Sequence, residues 1–258
     1  MLSFTTQMLV AFVLVLARLG GVLALAPLPG WRLVPPMAKV TAALLLALLF
    51  APLARLPASA PPGPATMAVW VLLEATFGVA VGVALLLLTE MMGLGAQLLG
   101  FQAGYSYINT VDPSSQVDAT VLNVLLTLAG GLLLFAFDIH LMILRALATS
   151  FRLIPLGEFR LAPEPALALA RLGGAVFETA VRLSFPVVGL LLVLDVALAL
   201  LSYVNARLQL LTLSFPVKMA VTMLVLSVTI SAAPRLFQQL AVKTFEVVEA
   251  LAGHGSGL

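Results

Sequence analysis

The residues of this 258-residue chain that could do chemistry are few, and most of them lie inside hydrophobic runs. A charged side chain in hydrocarbon is costly, so each of them is expected to pair across helices or subunits, or to line a polar pathway. A pathway or a subunit contact is favoured for Glu90 and Asp195. For Arg18, Arg145 and Lys218 a position near a span end is favoured, from which the long side chain reaches the interface. The polar contacts predicted inside the membrane are Glu74, Asp138, His140, Asp195 and Lys218.

Motifs of known enzyme classes are absent from the sequence. There is no cysteine, no HExxH, no G-x-S-x-G and no Walker pattern. Asp138 and His140 could form half of a metal or proton-relay site, but no second cluster completes it, and a structural role is favoured. Asp138 and Asp195 lack flanking residues that would support a two-carboxylate protease, which needs both carboxylates at one bond. We therefore expect no enzymatic activity and no cofactor.

A stripe of small and polar residues precedes a polar loop that carries no Lys or Arg. Its members follow one another at steps of 3, 4, 3 and 4, a spacing that places them on one face of a helix: Glu90, Gly93, Gln97, Gly100 and Gly104. One interpretation is a close helix–helix contact through the small residues. The other is a helix face that borders a polar channel, and the loop that follows favours it.

The composition indicates an integral membrane protein. Hydrophobic residues make up 62% of the chain and charged residues only 9%, whereas soluble domains carry about a quarter charged residues. The net charge of +2 is too small to suggest a nucleic-acid partner. We predict an all-α, polytopic membrane protein in which residues 1–246 form a single helical domain and residues 247–258 form a short flexible tail.

Several of the apolar runs are too long for one straight span. Residues 67–103 as one helix would reach roughly 55 Å, against a hydrocarbon core of about 30 Å. Such runs must kink, leave the bilayer or split, and the weak points expected in later runs are Gly130-Gly131 and Pro186. The amphipathic connection 152–166 is expected to lie at the membrane interface. The predicted runs are 8–26, 37–53, 67–103, 117–150, 172–204 and 208–240.

In the order of its motifs the chain resembles the FliR family of flagellar biosynthesis proteins, whose injectisome counterparts belong to type III secretion export gates. Two departures from the family pattern are Ile139, where glycine is usual, and the replacement of a Pro-Gln-x-Asn element before the Phe-Pro-x-Lys motif. The motifs that carry the resemblance are P-x-P-G followed by Val34-Pro35, Glu74 with the 90–104 run, Asp112-Pro113, Asp138-Ile139-His140, Ser150 followed by Pro155, and Phe215-Pro216-Val217-Lys218.

The resemblance implies a subunit of a hetero-oligomeric export gate with FliP and FliQ, joined by FlhB, in the bacterial inner membrane at the flagellar basal body. Its substrates would be unfolded flagellar proteins, and its fold would consist of long kinked helical hairpins in contact with membrane lipid. The resemblance also implies that a loop between two long helices plugs the pore. The matching residues are Gly104, Tyr105, Ser106, Tyr107, Ile108, Asn109, Thr110, Val111, Asp112, Pro113, Ser114, Ser115 and Gln116.

Three other functions stay possible on the sequence alone. An injectisome export gate would share every motif named above. A secondary transporter would use the same carboxylates and broken helices, but the chain shows no convincing pair of matching halves. A structural membrane scaffold would tolerate substitutions in the polar loop.

Overall fold

Every regular element in the described part of the chain is helical. The structure is a computed structural model that describes residues 2–28, 30–31, 34–56, 63–104, 121–160, 163–204 and 210–254. Short 3-10 turns, Ala51–Leu53 and Ile230–Ala232, follow the second and seventh helices. The predicted all-α class is confirmed. The helices are α1 (Leu2–Ala24), α2 (Pro36–Phe50), α3 (Pro64–Ala103), α4 (Val121–Ala136), α5 (Ile139–Leu153), α6 (Pro163–Val204), α7 (Leu210–Thr229) and α8 (Ala233–His254).

Prolines mark where three of these helices begin. Pro36, Pro64 and Pro163 are the first residues of α2, α3 and α6. Proline suits this position because its fixed φ is already helical and the first amide of a helix has no partner within the helix. The proline-rich segments that the sequence assigns to loops therefore end where the next helix begins.

The helices are long and apolar enough for a polytopic membrane protein. Five helical stretches in the described residues pass this test, namely Thr6–Ala24, Pro36–Leu53, Pro64–Ala103, Pro163–Tyr203 and Ser214–Gly253. A sixth span is formed if α4 and α5, which are bent by 59° relative to each other, count as one. The predicted membrane-spanning architecture is thereby confirmed.

Two helices are far longer than a bilayer is thick. α3 has 40 residues and α6 has 42, so each reaches roughly 60 Å against a hydrocarbon core of about 30 Å. Part of each helix therefore lies outside the hydrocarbon or the helix is strongly tilted. The break predicted at Pro186 is wrong, because α6 continues through that residue. Proline is tolerated in membrane helices where neighbouring groups satisfy the carbonyl that it leaves free.

The fourth run breaks at Asp138 and not at the predicted glycine pair. Asp138 has a left-handed φ of 54°, and α5 begins directly after it. Aspartate adopts this conformation more readily than most residues. Gly130 instead serves packing, since a Cβ there would lie 3.0 Å from Cγ of Met92. The absence of a side chain makes room for a neighbour here and does not create a hinge.

The chain divides into two compact units. Unit 1 consists of Met1–Leu88, Leu134–Gly174 and Ala241–Leu258, and unit 2 consists of Thr89–Leu133 and Ala175–Leu240. The composition and the helical runs predict a single domain over residues 1–246. Each unit collects segments that are distant in the chain, an arrangement that hydrophobic periodicity does not encode.

The predicted C-terminal tail begins inside α8. This helix continues through residue 247 to His254, and residues 255–258 lie outside the described part. Four of its last residues are buried in unit 1, namely Val247, Val248, Leu251 and Ala252. The segment 247–254 is thus held by apolar burial, which favours an ordered helix end.

Unit 1 is built on a close approach between α1 and α3. A Cβ at Gly21 would lie 2.7 Å from the backbone nitrogen of Val79, and a Cβ at Gly78 would overlap the carbonyl oxygen of Arg18. A Cβ at Gly82 would lie 3.0 Å from Cβ of Leu25. Small residues allow two helix backbones to approach in this way, and glycine is needed at the tightest points.

The connection after α5 is packed against the same unit. Ile154, Leu156 and Phe159 are buried, and the Phe159 ring meets Phe77 edge to face at 5.0 Å. The amide of Leu156 donates to the carbonyl oxygen of Arg55 at 2.9 Å. These apolar side chains are therefore covered by protein, and the position of this connection at the membrane interface stays a prediction.

Candidate functional site

The most concentrated polar cluster of unit 2 joins three of its helices. Lys218 on α7 forms an ion pair with Oδ1 of Asp195 on α6, and Nε2 of Gln102 on α3 donates to Oδ2 of the same carboxylate at 3.0 Å. Two residues that the sequence singles out separately, Asp195 and Lys218, are thus direct partners. Gln102 lies between the stripe members Gly100 and Gly104 in the sequence but is not among the predicted site residues. An amide side chain inside an apolar run could have indicated a polar contact.

The ion pair is only partly exposed. The side chain of Lys218 is 17% exposed and that of Asp195 is 37% exposed. In apolar surroundings two opposite charges remove much of each other's desolvation cost, whereas removal of one partner leaves the other uncompensated. Because Asp195 neutralises the charge of Lys218, this side chain does not need to reach the membrane interface, as the sequence predicts for it.

Next to this cluster, the end of α3 is pressed against α7. Gly104 follows the last helical residue of α3 and has a φ of 83°, in the left-handed region that favours glycine. A Cβ at this position would lie 2.7 Å from Cδ1 of Phe215. Gly104 is the last described residue before the predicted plug loop, whose residues 105–116 lie outside the described part. The start of that loop is therefore held by Phe215 of the Phe-Pro-Val-Lys motif.

Four of the five predicted stripe residues lie on α3, whereas Gly104 follows its last helical residue. Gln97 is exposed, Glu90 and Gly93 are partly exposed, while Gly100 is buried. A Cβ at Gly93 would still be 3.5 Å from its nearest neighbour, a carboxylate oxygen of Glu90. Among the stripe residues on α3 only Gln97 is thus exposed, and the space at Gly93 allows ordinary van der Waals contact.

A tighter contact of α3 lies off the stripe, at Gly95. The hydroxyl of Ser184 on α6 donates to the carbonyl oxygen of Gly95 at 3.1 Å and also to that of Ala180 at 2.9 Å. Cδ2 of Leu183 would lie 3.5 Å from a Cβ at Gly95. Small-residue packing therefore occurs in this helix, but on the face opposite to the one that the spacing highlights.

Unit 1 contains a fully buried ion pair. Nε of Arg18 donates to Oε2 of Glu74 at 2.5 Å, and Nη1 of Arg18 donates to the hydroxyl of Ser150 at 3.2 Å. The other carboxylate oxygen of Glu74 accepts the amide of Gly157 at 2.8 Å. The pair thus ties α1, α3, α5 and the following connection together.

Aromatic rings complete the surroundings of the Arg18 guanidinium. Its Cζ lies 4.8 Å from the ring centre of Phe77 and 4.7 Å from that of Phe151. The prediction that the Arg18 side chain reaches the membrane interface is wrong, because this side chain is wholly buried and paired. Cation–π contacts and the carboxylate replace water here. The role of this cluster is to hold helices together.

The predicted Asp138 and His140 do not form a joint site. Asp138 is exposed at the bend before α5 and makes no side-chain capping hydrogen bond. His140 packs against the ring of Phe135 at 5.1 Å, and its Nδ1 is buried without a partner in the described residues. Since Asp138 carries the left-handed φ, Ile139 is an ordinary helical residue, and the glycine usual at that position in the family is not required.

The described residues do not assemble a site for a metal ion. No group of three or more His, Asp or Glu side chains in this part of the chain is placed to hold one. The polar clusters instead consist of single ion pairs with neutral partners: Asp195 with Lys218 and Gln102, and Glu74 with Arg18 and Ser150. Such clusters position helices.

Comparisons with known proteins place the chain in a family. The family of bacterial export proteins, family 1, matches residues 9–244. The flagellar biosynthetic protein FliR of Pectobacterium carotovorum subsp. carotovorum is 28% identical over 249 residues, which cover 96% of this chain and 93% of that protein. FliR of Escherichia coli K12 is 28% identical over 207 residues, 80% of this chain and 78% of that protein.

A more distant relative has the same name. FliR of Bacillus subtilis 168 is 25% identical over 228 residues and covers 86% of both chains. These matches span the helices of both units, including the Arg18–Glu74 pair and the Asp195–Lys218 pair. The resemblance found in the sequence is confirmed, and the chain belongs to family 1 of the bacterial export proteins.

Proposed function

We propose that the chain is a subunit of the flagellar type III protein export gate, in the bacterial inner membrane at the flagellar basal body. FliP and FliQ would form the export channel with it, FlhB would join the complex, and unfolded flagellar proteins would pass through. The observation that carries the proposal is the family match over residues 9–244, together with relatives that are all named as flagellar biosynthetic proteins. These names favour the flagellum over an injectisome.

The geometry of unit 2 supports a role for the start of the loop. The end of α3 is fixed twice, by Gln102 on the carboxylate of Asp195 and by Gly104 against Phe215. We infer that this anchoring sets where the chain enters residues 105–116, the proposed plug. A rigid start suits a plug, because a loop that closes a pore must return to the same place after each substrate has passed.

Exposed apolar faces support assembly with other membrane subunits. On α4 the side chains of Val121, Val124, Leu125, Leu128 and Leu132 are all exposed. Their spacing makes one continuous helix face. On α6 Phe177, Phe185 and Tyr203 are exposed as well. Lipid covers such faces in a lone chain, and helices of partner subunits would cover them in a gate.

Native mass spectrometry tests the proposal. The tagged full chain is co-expressed with the neighbouring genes of its own genome and solubilised in a mild detergent. We expect a discrete complex with one copy of this chain and several copies of two other small membrane proteins. A stable monomer or homodimer would overturn the proposal, and would favour a transporter that works alone.

A matched pair of variants sharpens this experiment. Leu128→Asn places a polar side chain on the exposed face of α4 and is expected to weaken the complex. Leu224→Asn, on an exposed position of α7, is the control for the general cost of a polar residue in a membrane helix. Equal loss of complex in both variants would show that the α4 face is not a specific subunit contact.

A further inference from the structure

A groove lies between α5 and α8 within unit 1. It has a volume of about 300 Å³, which is at the lower end of the range for small-ligand sites. Its lining includes the apolar side chains of Ala146, Val248 and Ala252, of which Val248 and Ala252 are buried. Arg145 of α5 and Glu249 of α8 also line it, and both are exposed. The groove thus combines an apolar floor with two opposite charges.

The two charges do not neutralise each other. Neither Arg145 nor Glu249 forms a hydrogen bond or ion pair through its side chain with another described residue. This contrasts with Asp195 and Lys218, which are partners in unit 2. A cation and an anion that face one groove but stay apart are complementary to a ligand that carries both charges.

Exposed apolar side chains accompany the charged residue on the α5 side of the groove. α5 exposes Leu141, Met142 and Leu144 beside Arg145. Exposed apolar side chains next to a basic one are typical of a helix that lies where headgroups meet acyl chains. Pockets between membrane helices that carry a basic side chain bind phospholipid headgroups. A membrane lipid therefore suits a groove with an apolar floor and a basic side chain beside exposed apolar ones.

We propose that this groove binds a phospholipid with a zwitterionic, primary-amine headgroup of the phosphatidylethanolamine class. Arg145 would donate hydrogen bonds to the phosphate, which arginine recognises in a planar, bidentate manner. Glu249 would accept hydrogen bonds from the ammonium group, and the apolar floor would receive the start of an acyl chain.

Glu249 determines which lipid class fits the groove best. An anionic phosphatidylglycerol could use Arg145 but would leave Glu249 facing a hydroxyl headgroup without a positive charge. A choline headgroup carries the positive charge but has no N–H to donate, so it would make a weaker contact with Glu249. Phosphatidylethanolamine satisfies both side chains, and this preference is independent of the export function proposed above.

The test is native mass spectrometry of the delipidated full chain without partner proteins. Dioleoyl phosphatidylethanolamine, phosphatidylcholine and phosphatidylglycerol are titrated separately. We expect phosphatidylethanolamine to bind about tenfold more tightly than the other two, which corresponds to about 1.4 kcal/mol. Stepwise N-methylation of the headgroup should weaken binding at each step, and this series needs no protein variant.

Variants of Arg145 and Glu249 test whether these two side chains cause the preference for phosphatidylethanolamine. Glu249→Gln should remove the advantage of phosphatidylethanolamine over phosphatidylcholine, whereas Arg145→Gln should weaken all three lipids. Glu246→Gln on α8 and Arg171→Gln on α6 are the controls, since both residues are exposed and do not line the groove. Both controls should bind as the parent chain does.

Four results would overturn the proposal. The first three are equal binding of the three lipids by the parent chain, tighter binding of phosphatidylglycerol, and a preference for phosphatidylethanolamine that survives Glu249→Gln. Failure of all three lipids to bind would also overturn it and would leave the groove to a helix of a partner protein. Because the isolated chain is used, none of these results depends on whether an export gate forms.

Discussion

Nε of Arg18 donates a 2.5 Å hydrogen bond to Oε2 of Glu74, and both side chains are completely buried although 56 residues separate them in the chain. The guanidinium also lies between two aromatic rings, and the second carboxylate oxygen binds the amide of Gly157. Nε and Nη1 of Arg18 and both carboxylate oxygens of Glu74 therefore have hydrogen-bond partners, whereas Nη2 of Arg18 is buried without one among the described residues.

Loss of one partner of this pair should destabilise unit 1 strongly. Glu74→Gln leaves the buried Arg18 charge uncompensated, and we expect a loss of about 3–5 kcal/mol in the free energy of unfolding. The double variant Arg18→Met with Glu74→Leu should recover most of it, because no buried charge remains. Denaturant unfolding in detergent micelles, followed by circular dichroism, measures both.

An exposed ion pair provides the control for this experiment. Glu178 and Arg182 are one helical turn apart on α6, and their side chains are 57% and 64% exposed. Glu178→Gln should change the free energy of unfolding by less than about 1 kcal/mol. If Glu74→Gln were as mild as Glu178→Gln, the pair in unit 1 would not be a structural centre.

The close approach of α1 and α3 should not tolerate even a methyl group. Gly78→Ala places a Cβ against the backbone of Arg18, which cannot move without shifting α1. We expect a loss of about 1–3 kcal/mol in the free energy of unfolding, as for other overpacked sites. Gly20→Ala is the control on α1, because nothing lies within 4 Å of its Cβ, and it should be neutral or stabilising. Equal melting temperatures for the two variants would contradict this packing.

Local sequence patterns predict the helices and the polar residues that need partners. They do not predict which residues on other helices are those partners. Periodicity predicts one helix face for Glu90, Gly93, Gln97 and Gly100, and all four lie on α3, whereas Gly104 follows its last helical residue. It cannot show that Glu74 meets Arg18 or that Asp195 meets Lys218, because such pairs form only when distant helices pack. The snorkelling expected for Arg18 failed for this reason.

The helix breaks that the sequence predicts at glycine and proline do not occur at those residues. Gly130 gives room to Met92, and α6 continues through Pro186, whereas the sharp bend occurs at Asp138. Glycine permits a bend but does not demand one, since the surrounding packing decides whether the freedom is used. An aspartate with a left-handed φ leaves no comparable pattern in a single sequence.

The polar cluster of unit 2 should respond to charge balance. Asp195→Asn leaves Lys218 without its ion-pair partner, and we expect a loss of about 1–3 kcal/mol in the free energy of unfolding together with reduced swimming of a complemented strain. Asp195→Lys combined with Lys218→Asp restores opposite charges and should recover part of both. The two single variants, Asp195→Lys and Lys218→Asp, are measured beside the double variant. If the double variant were no more stable and no more motile than the worse of these two, a role based on the ion pair would be contradicted.

Deletion of residues 106–109 tests the proposed plug directly. If these residues close the pore, their removal should raise the ion conductance of membranes that contain an idle gate. The measurement is conductance of purified complexes in planar bilayers, before any substrate is added. The matched control is the Leu224→Asn variant, which leaves the loop intact. Unchanged conductance after the deletion would show that the loop does not seal the gate.

The contact between Gly104 and Phe215 should set where this loop begins. Gly104→Ala adds a Cβ 2.7 Å from the ring and forces a φ of 83° on alanine, a conformation that costs about 1–2 kcal/mol. We expect a leaky or poorly exporting gate, measured by secretion of a flagellar substrate into the medium and by swimming-halo diameter.

The double variant separates the two causes. Gly104→Ala with Phe215→Ala removes the clash but keeps the unfavourable φ, so it should restore function only in part. Gly189→Ala on α6 is the control, because nothing lies within 4 Å of its Cβ. Full function of Gly104→Ala would contradict this anchor, because the start of the loop would then tolerate displacement. A defect that Phe215→Ala leaves unchanged would assign the whole effect to the backbone conformation of residue 104.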